Sequence, residues 1–296
     1  MTDDGRSDMS DAALVYDDWT ASLEVREDIA TPTMVGNLAA ALDRDDAVPQ
    51  IGDPMPWGWH WLYFPNQDRQ SAVGADGLTM DSGFMPPVPL PRRMFAGARM
   101  RFQRQVRLGD RIRRESEVIS IKEKEGRSGK LAFITVGYRV FDESGLCVEE
   151  EQDIVMREAE AKPATPAAAE TEPEPLADDW QQEIKPDPVM LFRFSAVTFN
   201  PHRIHYDEPY ATGVEHYPGL VVHGPLTAIL LLELCRDSSG GRALKSFGFR
   251  AMRPLFATAP FRVTGRPTAD GRGCDLAALT PEGALAMKAE IEFADD

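Results

Sequence analysis

The apolar positions in the first half of the chain change their spacing once, from helical to alternating. Residues 31–42 place apolar side chains three and four apart, with Thr31 as a capping residue and Pro32 at the first helical position, which predicts a helix. Later, Met100 and Phe102 alternate with arginine and glutamine, a period of two that is typical of a half-buried strand. Further strands are predicted at 112–122, 131–141 and 147–156. A helix followed by such a meander favours a sheet wrapped around the helix.

The same order of elements recurs after a stretch without any apolar period. Residues 158–179 are dominated by Ala, Pro, Glu and Thr and indicate a solvated linker. A helix that begins at Gly224 is apolar nearly all round and is therefore predicted to be buried. Strands follow at 243–249, 261–265, 273–279 and 284–293. We predict an α+β protein with two antiparallel sheets, each around a central helix, divided into residues 1–157, a linker 158–185 and residues 186–296.

Composition narrows the class of protein. The chain has 296 residues, 43% of them hydrophobic, and a net charge of -16, which favours a soluble globular protein and argues against nucleic acid as a partner. No apolar run approaches the ~20 residues of a membrane span, and the acidic start argues against a secretory signal. Residues 16–29 favour a short helix. Three cysteines without pair spacing favour a reducing cytosol and argue against a disulfide framework or a zinc site.

One segment is basic against this acidic background. Between Arg92 and Arg114 lie nine arginines and a single acid, Asp110. Guanidinium groups suit phosphate oxygens, so Arg92, Arg93 and their neighbours are candidates for binding the phosphates of a ligand such as coenzyme A. The alternative is that these arginines solvate one face of an edge strand, and the sequence leaves both interpretations open.

Histidines point to acid–base chemistry. Four of the five histidines, His202, His205, His216 and His223, lie within residues 194–227, next to the apolar helix. Histidine exchanges protons near neutral pH, so this cluster favours an enzyme. The fifth histidine, His60, lies among tryptophans and tyrosine in residues 57–64, and there a packed core histidine is the preferred interpretation.

The histidine segment carries a family resemblance. Thr198-Phe-Asn-Pro-His-Arg-Ile-His-Tyr-Asp207 resembles the hydratase motif of the MaoC-like and R-specific enoyl-CoA hydratases, Ser-Gly-Asp-x-Asn-Pro-(Leu/Ile)-His-x-Asp. With the segments Trp57-Gly-Trp-His-Trp-Leu-Tyr-Phe and Pro86-Pro-Val-Pro-Leu-Pro-Arg-Arg-Met, it is similar to the type 2 hydroxyacyl-thioester dehydratases and their bacterial relatives that hydrate mesaconyl-C4-CoA and itaconyl-CoA. The resemblance implies a double hot-dog fold and one active site per chain. It also implies an acyl-CoA substrate, no separate cofactor and a cytoplasmic homodimer without membrane association.

The resemblance also assigns roles to residues. His205 stands at the family histidine and is the expected principal acid and base. Asn200 replaces the family aspartate; an amide is no base, so Asn200 is expected to hold the water by its amide oxygen. His202 would orient the water or share the proton transfer, and Gly224 would offer its N–H to the oxyanion at a helix amino end. His223 is expected to contact and position the substrate.

Alternatives remain at this point. A dicarboxylyl substrate needs a cation for its free carboxylate, and three arginines near the site are candidates: Arg203, Arg250 and Arg253. A 3-hydroxyacyl-thioester dehydratase of fatty acid synthesis would use the same residues. A thioesterase would instead use the acid of the central helix, Glu233. A non-catalytic acyl-CoA-binding scaffold would explain Asn200 as the loss of a base. Two histidines without a third ligand make a poor metal site, so no metal is expected.

Overall fold

The computed structural model describes residues 23–79, 83–126, 129–158 and 180–295, which build one antiparallel sheet of ten strands. The first five strands are β1 (Leu23–Ile29), β2 (Arg92–Phe102), β3 (Arg111–Gly126), β4 (Gly129–Asp142) and β5 (Gly145–Arg157). The other five are β6 (Trp180–Ile184), β7 (Leu244–Ala251), β8 (Phe261–Pro267), β9 (Gly273–Leu279) and β10 (Leu285–Phe293). The helices are α1 (Pro32–Ala41), α2 (Pro188–Val197), α3 (Glu208–Gly213) and α4 (Gly224–Ser238).

The two halves of the sheet repeat one strand order. Across the sheet the strands run β1-β3-β4-β5-β2-β7-β10-β9-β8-β6, so the order in the first half is mirrored in the second. The halves join where β2 pairs with β7, with Met100 opposite Phe247. The predicted α+β double hot-dog is therefore present, with its two sheets fused into one continuous sheet. This repetition supports an internal duplication, which the sequence shows only weakly.

Helix α4 is the centre of the second half. Every residue from Leu226 to Cys235 is buried, as the apolar pattern predicts, and the helix packs against β8, β9, β10 and β6. The Sγ atom of Cys235 lies 3.7 Å from that of Cys274 on β9, and both cysteines are free. The helix is therefore the axis around which the second half of the sheet curves.

The first half differs from the predicted arrangement. We expected its strands to wrap around the helix at 31–42, but α1 packs against α2 and against a 3-10 turn at Trp59–Leu62. Between α1 and β2, where the second half has α4, the described residues form only short 3-10 turns. Trp59, Leu62 and Phe64 from this segment are buried in the main core instead. The concave face of the first half therefore has room for a cavity.

A β-bulge in β2 changes which side chains face inward. The register with β5 shifts between Phe95 and Gly97, so Phe95 pairs with Ile154 and Met100 pairs with Glu150. Directly paired residues share a face of the sheet. Phe95 and Met100 therefore both face inward, although simple alternation would separate them. Gly97 is required here, because a Cβ would stand 2.3 Å from the carbonyl oxygen of Phe249 on β7.

Two local predictions change. The part of the predicted short helix at 16–29 that is described, Leu23–Ile29, is the edge strand β1, which pairs with β3. The end of the predicted linker, Trp180–Ile184, is strand β6 paired with β8. Residues 16–22 of that predicted helix and residues 159–179 of the linker lie outside the described part of the chain.

Candidate active site

A large cavity is lined by residues from both halves of the protein. Its volume is about 3000 Å³, well above the size of an ordinary small-molecule pocket, and it is large enough for a long thioester. The second half contributes Asn200, His202, His205 and Gly224 to its wall, and the first half contributes residues of β2, β4 and β5. The fold thus brings together the four residues expected to perform the chemistry.

His205 is held in one tautomer. It ends a 3-10 turn, Arg203–His205, and its Nδ1 lies 2.7 Å from the carbonyl oxygen of Val221. A carbonyl oxygen only accepts, so Nδ1 carries the proton and Nε2 is left as the basic nitrogen. Burial lowers the pKa of His205 to about 3, with a smaller contribution from the nearby His202. The ring is therefore neutral at physiological pH and can accept a proton.

His223 lies behind His205 rather than in the cavity. Its ring is 0% exposed and stacks on the ring of His205 with centroids 3.7 Å apart. Its Nε2 is 2.9 Å from Oγ of Ser195 on α2, and it is not part of the cavity wall. The expectation that His223 contacts substrate is therefore wrong. The geometry makes it a positioning residue, which fixes the plane of the His205 imidazole.

His202 and Asn200 lie on the cavity wall beside His205. The His202 ring stands edge-on to that of His205, with centroids 5.5 Å apart. The amide oxygen of Asn200 accepts the backbone N–H of His202 at 3.1 Å, so the amide NH₂ group is the part left to donate to a bound water. Burial lowers the pKa of His202; the charges of Asp76 and Glu215 offset part of this effect, and the charge of Arg93 adds to it. His202 is therefore also biased toward the neutral form.

Gly224 begins helix α4 on the cavity wall. The first N–H groups of a helix have no partner within the helix and lie at the positive end of its dipole, so they suit an oxyanion. Because Val221 anchors His205 and lies three residues before Gly224, the base and the helix end are held together. A Cβ on Gly224 would stand 3.4 Å from Cδ1 of Phe95, so the Phe95 ring leaves little space beside the start of α4.

Three of the arginines proposed as substrate ligands are engaged elsewhere. The guanidinium of Arg203 donates twice to Asp207 and once to the carbonyl of Ala75, which ties its loop to the turn before β2. Nη1 of Arg253 donates to the carbonyl of Leu285 at 2.8 Å, and Arg92 lies 3.4 Å from Glu215.

Arg93 and Arg250 are placed differently. Both line the cavity, Arg250 on the exposed rim and Arg93 on the inward face of β2. No ion pair is found for either side chain among the described residues. These two arginines are therefore the ones available to an anionic ligand.

The basic segment 92–114 does not form a single phosphate site. Arg99 pairs with Glu151 and Asp153, Arg104 with Asp142, and Arg113 with Glu115. Strand β2, which carries four of the nine arginines, lies at the centre of the sheet and is no edge strand. Ion pairs with neighbouring acids account for Arg99, Arg104 and Arg113. The spacing of the arginines in the sequence does not show which of them lack such a pair.

A buried polar cluster in the first half was missed from the sequence. Glu150 is 4% exposed and accepts from Trp61 Nε1 and Gln152 Nε2, at 2.9 and 2.7 Å. His60 Nε2 lies 2.9 Å from the same carboxylate, so His60 is a packed histidine as expected. Tyr138 stands opposite Glu150 across β4 and β5. The alternation of inward and outward side chains along β5 places Glu150 inward. In the sequence, however, Glu150 is the middle one of three consecutive glutamates, so nothing marks it as buried.

Glu233 lies away from the cavity. Its Oε1 accepts the indole N–H of Trp59 at 2.9 Å, and its Oε2 lies 2.8 Å from Arg44 and 2.7 Å from Arg236. It does not contribute to the cavity wall. A carboxylate bound in this way serves structure, which removes the residue that the thioesterase interpretation requires.

The described residues contain no group of three or more His, Cys, Asp or Glu side chains placed to hold a metal ion. None of the helices in the described ranges combines the length and apolar character of a membrane span.

Sequence comparisons agree with the site. The family model described as hydroxyacyl-thioester dehydratase type 2 matches residues 58–257. Mesaconyl-C(4)-CoA hydratase of Chloroflexus aurantiacus is 48% identical over 280 residues, which is 93% of this chain and 98% of that protein. The mitochondrial hydroxyacyl-thioester dehydratase type 2 of Schizosaccharomyces pombe is 29% identical over 258 residues, 78% of this chain and 83% of that protein.

Solved structures share the fold. A MaoC-like dehydratase of Phytophthora capsici superposes with a TM-score of 0.71 at 15% identity, covering 93% of this chain and 96% of that one. A Mycobacterium tuberculosis protein described as a double hotdog fold has a TM-score of 0.56 at 12% identity, covering 93% and 97%. At these identities the likeness concerns the fold alone.

The fold and the family comparisons together define an enzyme with a double hot-dog fold. The chain belongs to the hydroxyacyl-thioester dehydratase type 2 family. It is therefore a hydro-lyase, as the histidine motif predicts.

Proposed function

We propose that this protein adds water to the C2–C3 double bond of a short dicarboxylyl-CoA thioester of the mesaconyl-C4-CoA or itaconyl-CoA type, with citramalyl-CoA as product. The observation that carries the proposal is the state of His205, whose Nδ1–H is fixed on Val221 while Nε2 remains free beside the amino end of α4. The 48% identical Chloroflexus hydratase supports the choice of substrate.

The geometry suggests an order of events. The thioester carbonyl lies at the start of α4, where the Gly224 N–H and the helix dipole stabilise the enolate oxygen that forms. Nε2 of His205 takes a proton from water as the water oxygen bonds to the β carbon. The resulting imidazolium faces the negative enolate and returns the proton to the α carbon, directly or through His202. Asn200 holds the water by its amide group, and His223 keeps the imidazole in plane.

A second candidate is the reverse reaction on a different acyl group. The Schizosaccharomyces pombe relative is named a hydroxyacyl-thioester dehydratase, and the same residues would remove water from a 3-hydroxyacyl thioester. The 29% identity of that relative against 48% for the hydratase favours the dicarboxylyl substrate.

A mass-spectrometric assay tests the proposal. Purified protein is incubated with mesaconyl-C4-CoA, itaconyl-CoA and crotonyl-CoA, beside the His205→Ala variant. Gain of one water on a dicarboxylyl thioester, lost in the variant, is the expected result. Hydration of crotonyl-CoA alone would move the protein to fatty acyl dehydration. Intact, bound thioesters would instead indicate a non-catalytic scaffold, and hydrolysis to free CoA would indicate a thioesterase.

The cellular form is proposed on more general grounds. We infer a cytosolic homodimer with units 1–157 and 186–296, and a reaction that uses no cofactor because coenzyme A is part of the substrate. Hot-dog proteins usually pair, and the edge strand β1 leaves Leu23, Val25 and Ile29 exposed. Light scattering of the purified protein measures the oligomer directly.

A further inference from the structure

Within the described part of the chain, Arg93 lines the cavity without an ion pair, unlike Arg92, Arg99 and Arg203, which line the same cavity. It pairs with Met156 of β5 and so lies on the inward face of the sheet, with Phe95 and Ile154. The bulge at Phe95–Gly97 produces this, because uninterrupted alternation would put Arg93 on the same face as Arg101. The side chain opens onto the cavity rather than packing under it.

The guanidinium of Arg93 has no carboxylate partner. Among the described residues no ion pair or side-chain hydrogen bond is found for it, whereas Arg92 lies beside Glu215. Asp76 attracts it from a distance, but that carboxylate already accepts the backbone N–H of Leu78. The Arg93 side chain is solvent-accessible from the cavity, and the protein atoms around it lower the pKa of Arg93 by desolvation. A guanidinium that faces the cavity without an ion pair is free to make a charge-assisted pair with an anionic ligand.

The surroundings of Arg93 suit a carboxylate rather than a phosphate of coenzyme A. Tyr138 lies near Arg93 on the inner face of β4 and lines the same cavity. Arg93 is also close enough to His202 for its charge to affect that ring. A coenzyme A phosphate remains distant from the reacting carbons, and exposed Arg250 on the rim is a better partner for it.

In a thioester of the mesaconyl-C4-CoA type, the free carboxylate is attached to the β carbon, which is also the carbon that water attacks. We propose that Arg93, assisted by the hydroxyl of Tyr138, binds this carboxylate and thereby selects acidic acyl groups over crotonyl-type ones, an inference that rests on the proposed hydratase function. One placement then meets three requirements, with the thioester at Gly224, the β carbon at His202 and His205, and the carboxylate at Arg93.

The direct test compares two substrates in two variants. For Arg93→Gln, kcat/KM should fall about 100-fold or more for the dicarboxylyl-CoA and far less for crotonyl-CoA, because only the former loses a charge-assisted pair. Arg93→Lys keeps the positive charge but lacks the paired N–H donors of the guanidinium, so kcat/KM for the dicarboxylyl-CoA should fall by an intermediate factor. Tyr138→Phe should lower kcat/KM by a smaller factor, again more for the dicarboxylyl-CoA than for crotonyl-CoA. The matched control is Arg101→Gln, an exposed position on the outer face of the same strand.

Binding measurements separate this inference from the proposed function. Calorimetric titration with succinyl-CoA and butyryl-CoA, two saturated thioesters, measures the preference for a carboxylate without any turnover. Loss of that preference in Arg93→Gln and Arg93→Lys supports the assignment even if no hydration occurs. Equal losses on both thioesters in both variants, or an unchanged preference, would overturn it. Wild-type hydration of crotonyl-CoA with no preference for succinyl-CoA would overturn the Arg93 assignment while the hydratase stands.

Discussion

The imidazole of His205 stacks on that of His223, with ring centroids 3.7 Å apart and ring planes 19° from parallel. Both rings are buried, and burial is the main cause that lowers the pKa of each. Two neutral rings stack readily, whereas protonation of one would place a charge in an apolar site. The stability of the fold is therefore coupled to the protonation state of these two rings.

This link predicts how stability depends on pH. His205 has a pKa of about 3 when folded and an ordinary value of 6.5 when unfolded, so the unfolded chain takes up a proton first. Stability is complete above pH 6.5 and is lost as the pH falls from 6.5 toward 3, by at most about 5 kcal/mol from this group. Urea unfolding at pH 7.5, 6.0 and 5.0 measures the slope.

His205→Asn should reduce this slope without abolishing it, since His223 keeps a pKa that burial lowers. The matched control is His216→Asn, because His216 is exposed and its positive φ of 60° is tolerated by asparagine. An identical slope in wild type and His205→Asn would contradict the neutral, buried state of this ring.

Asn200 offers a test of how water is held. Asn200→Ala removes both the acceptor for the His202 backbone N–H and the amide donor, and we expect kcat to fall roughly 100-fold. Asn200→Asp restores the carboxylate that the family motif has, and its negative charge should raise the pKa of His202. We therefore expect Asn200→Asp to retain hydratase activity while the acid limb of kcat/KM moves to higher pH. Full activity in Asn200→Ala would remove Asn200 from the mechanism.

Local sequence signals predict the positions of two residues. The burial of Leu226 is predictable because an all-apolar helical run must be buried, and the local histidine motif accounts for the position of His205 on the cavity wall. Both signals lie within a few residues of chain. The catalytic role of His205 stays a prediction.

Arg93 and the missing central helix of the first half depend on longer-range features. The inward position of Arg93 requires the bulge at Gly97, which reflects the close approach of β7 about 150 residues later. The aromatic run Trp57–Phe64 takes core positions by tertiary packing, and neither helical nor alternating spacing describes it. Glu150 is hidden for a similar reason, since its partners Trp61 and Gln152 are assembled only by the fold.

The oxyanion role of Gly224 predicts a separation of activity from stability. In Gly224→Ala the new methyl group would stand 3.4 Å from Phe95 and narrow the place of the thioester carbonyl. Alanine favours helix, so the free energy of unfolding should change by less than about 1 kcal/mol. Alanine keeps the backbone N–H, so the expected fall in kcat of roughly 100-fold would come from displacement of the thioester carbonyl away from that donor, with an effect like the loss of one oxyanion donor. If Gly224→Ala combined with Phe95→Leu regains activity, the contact with Phe95 is the cause.

For Glu233 we predict the reverse: a substitution should lower stability and leave activity nearly unchanged. Its carboxylate receives Trp59 Nε1 and two guanidinium groups, and it is 5% exposed. Glu233→Gln keeps the shape but leaves Arg44 and Arg236 without this partner, which should lower the free energy of unfolding by about 3 kcal/mol. Because Glu233 is remote from the cavity wall, kcat/KM for hydration should stay within about twofold of wild type.

The control for Glu233 is Glu292→Gln, an exposed acid 3.3 Å from Lys245, where a surface pair contributes less than about 1 kcal/mol. Thermal unfolding and hydration kinetics on the same preparations give both quantities. A selective loss of activity in Glu233→Gln, with unfolding unchanged, would return Glu233 to the chemistry and revive the thioesterase interpretation. Loss of stability with activity retained assigns Glu233 to the attachment of α1 and the turn at Trp59 to the central helix α4.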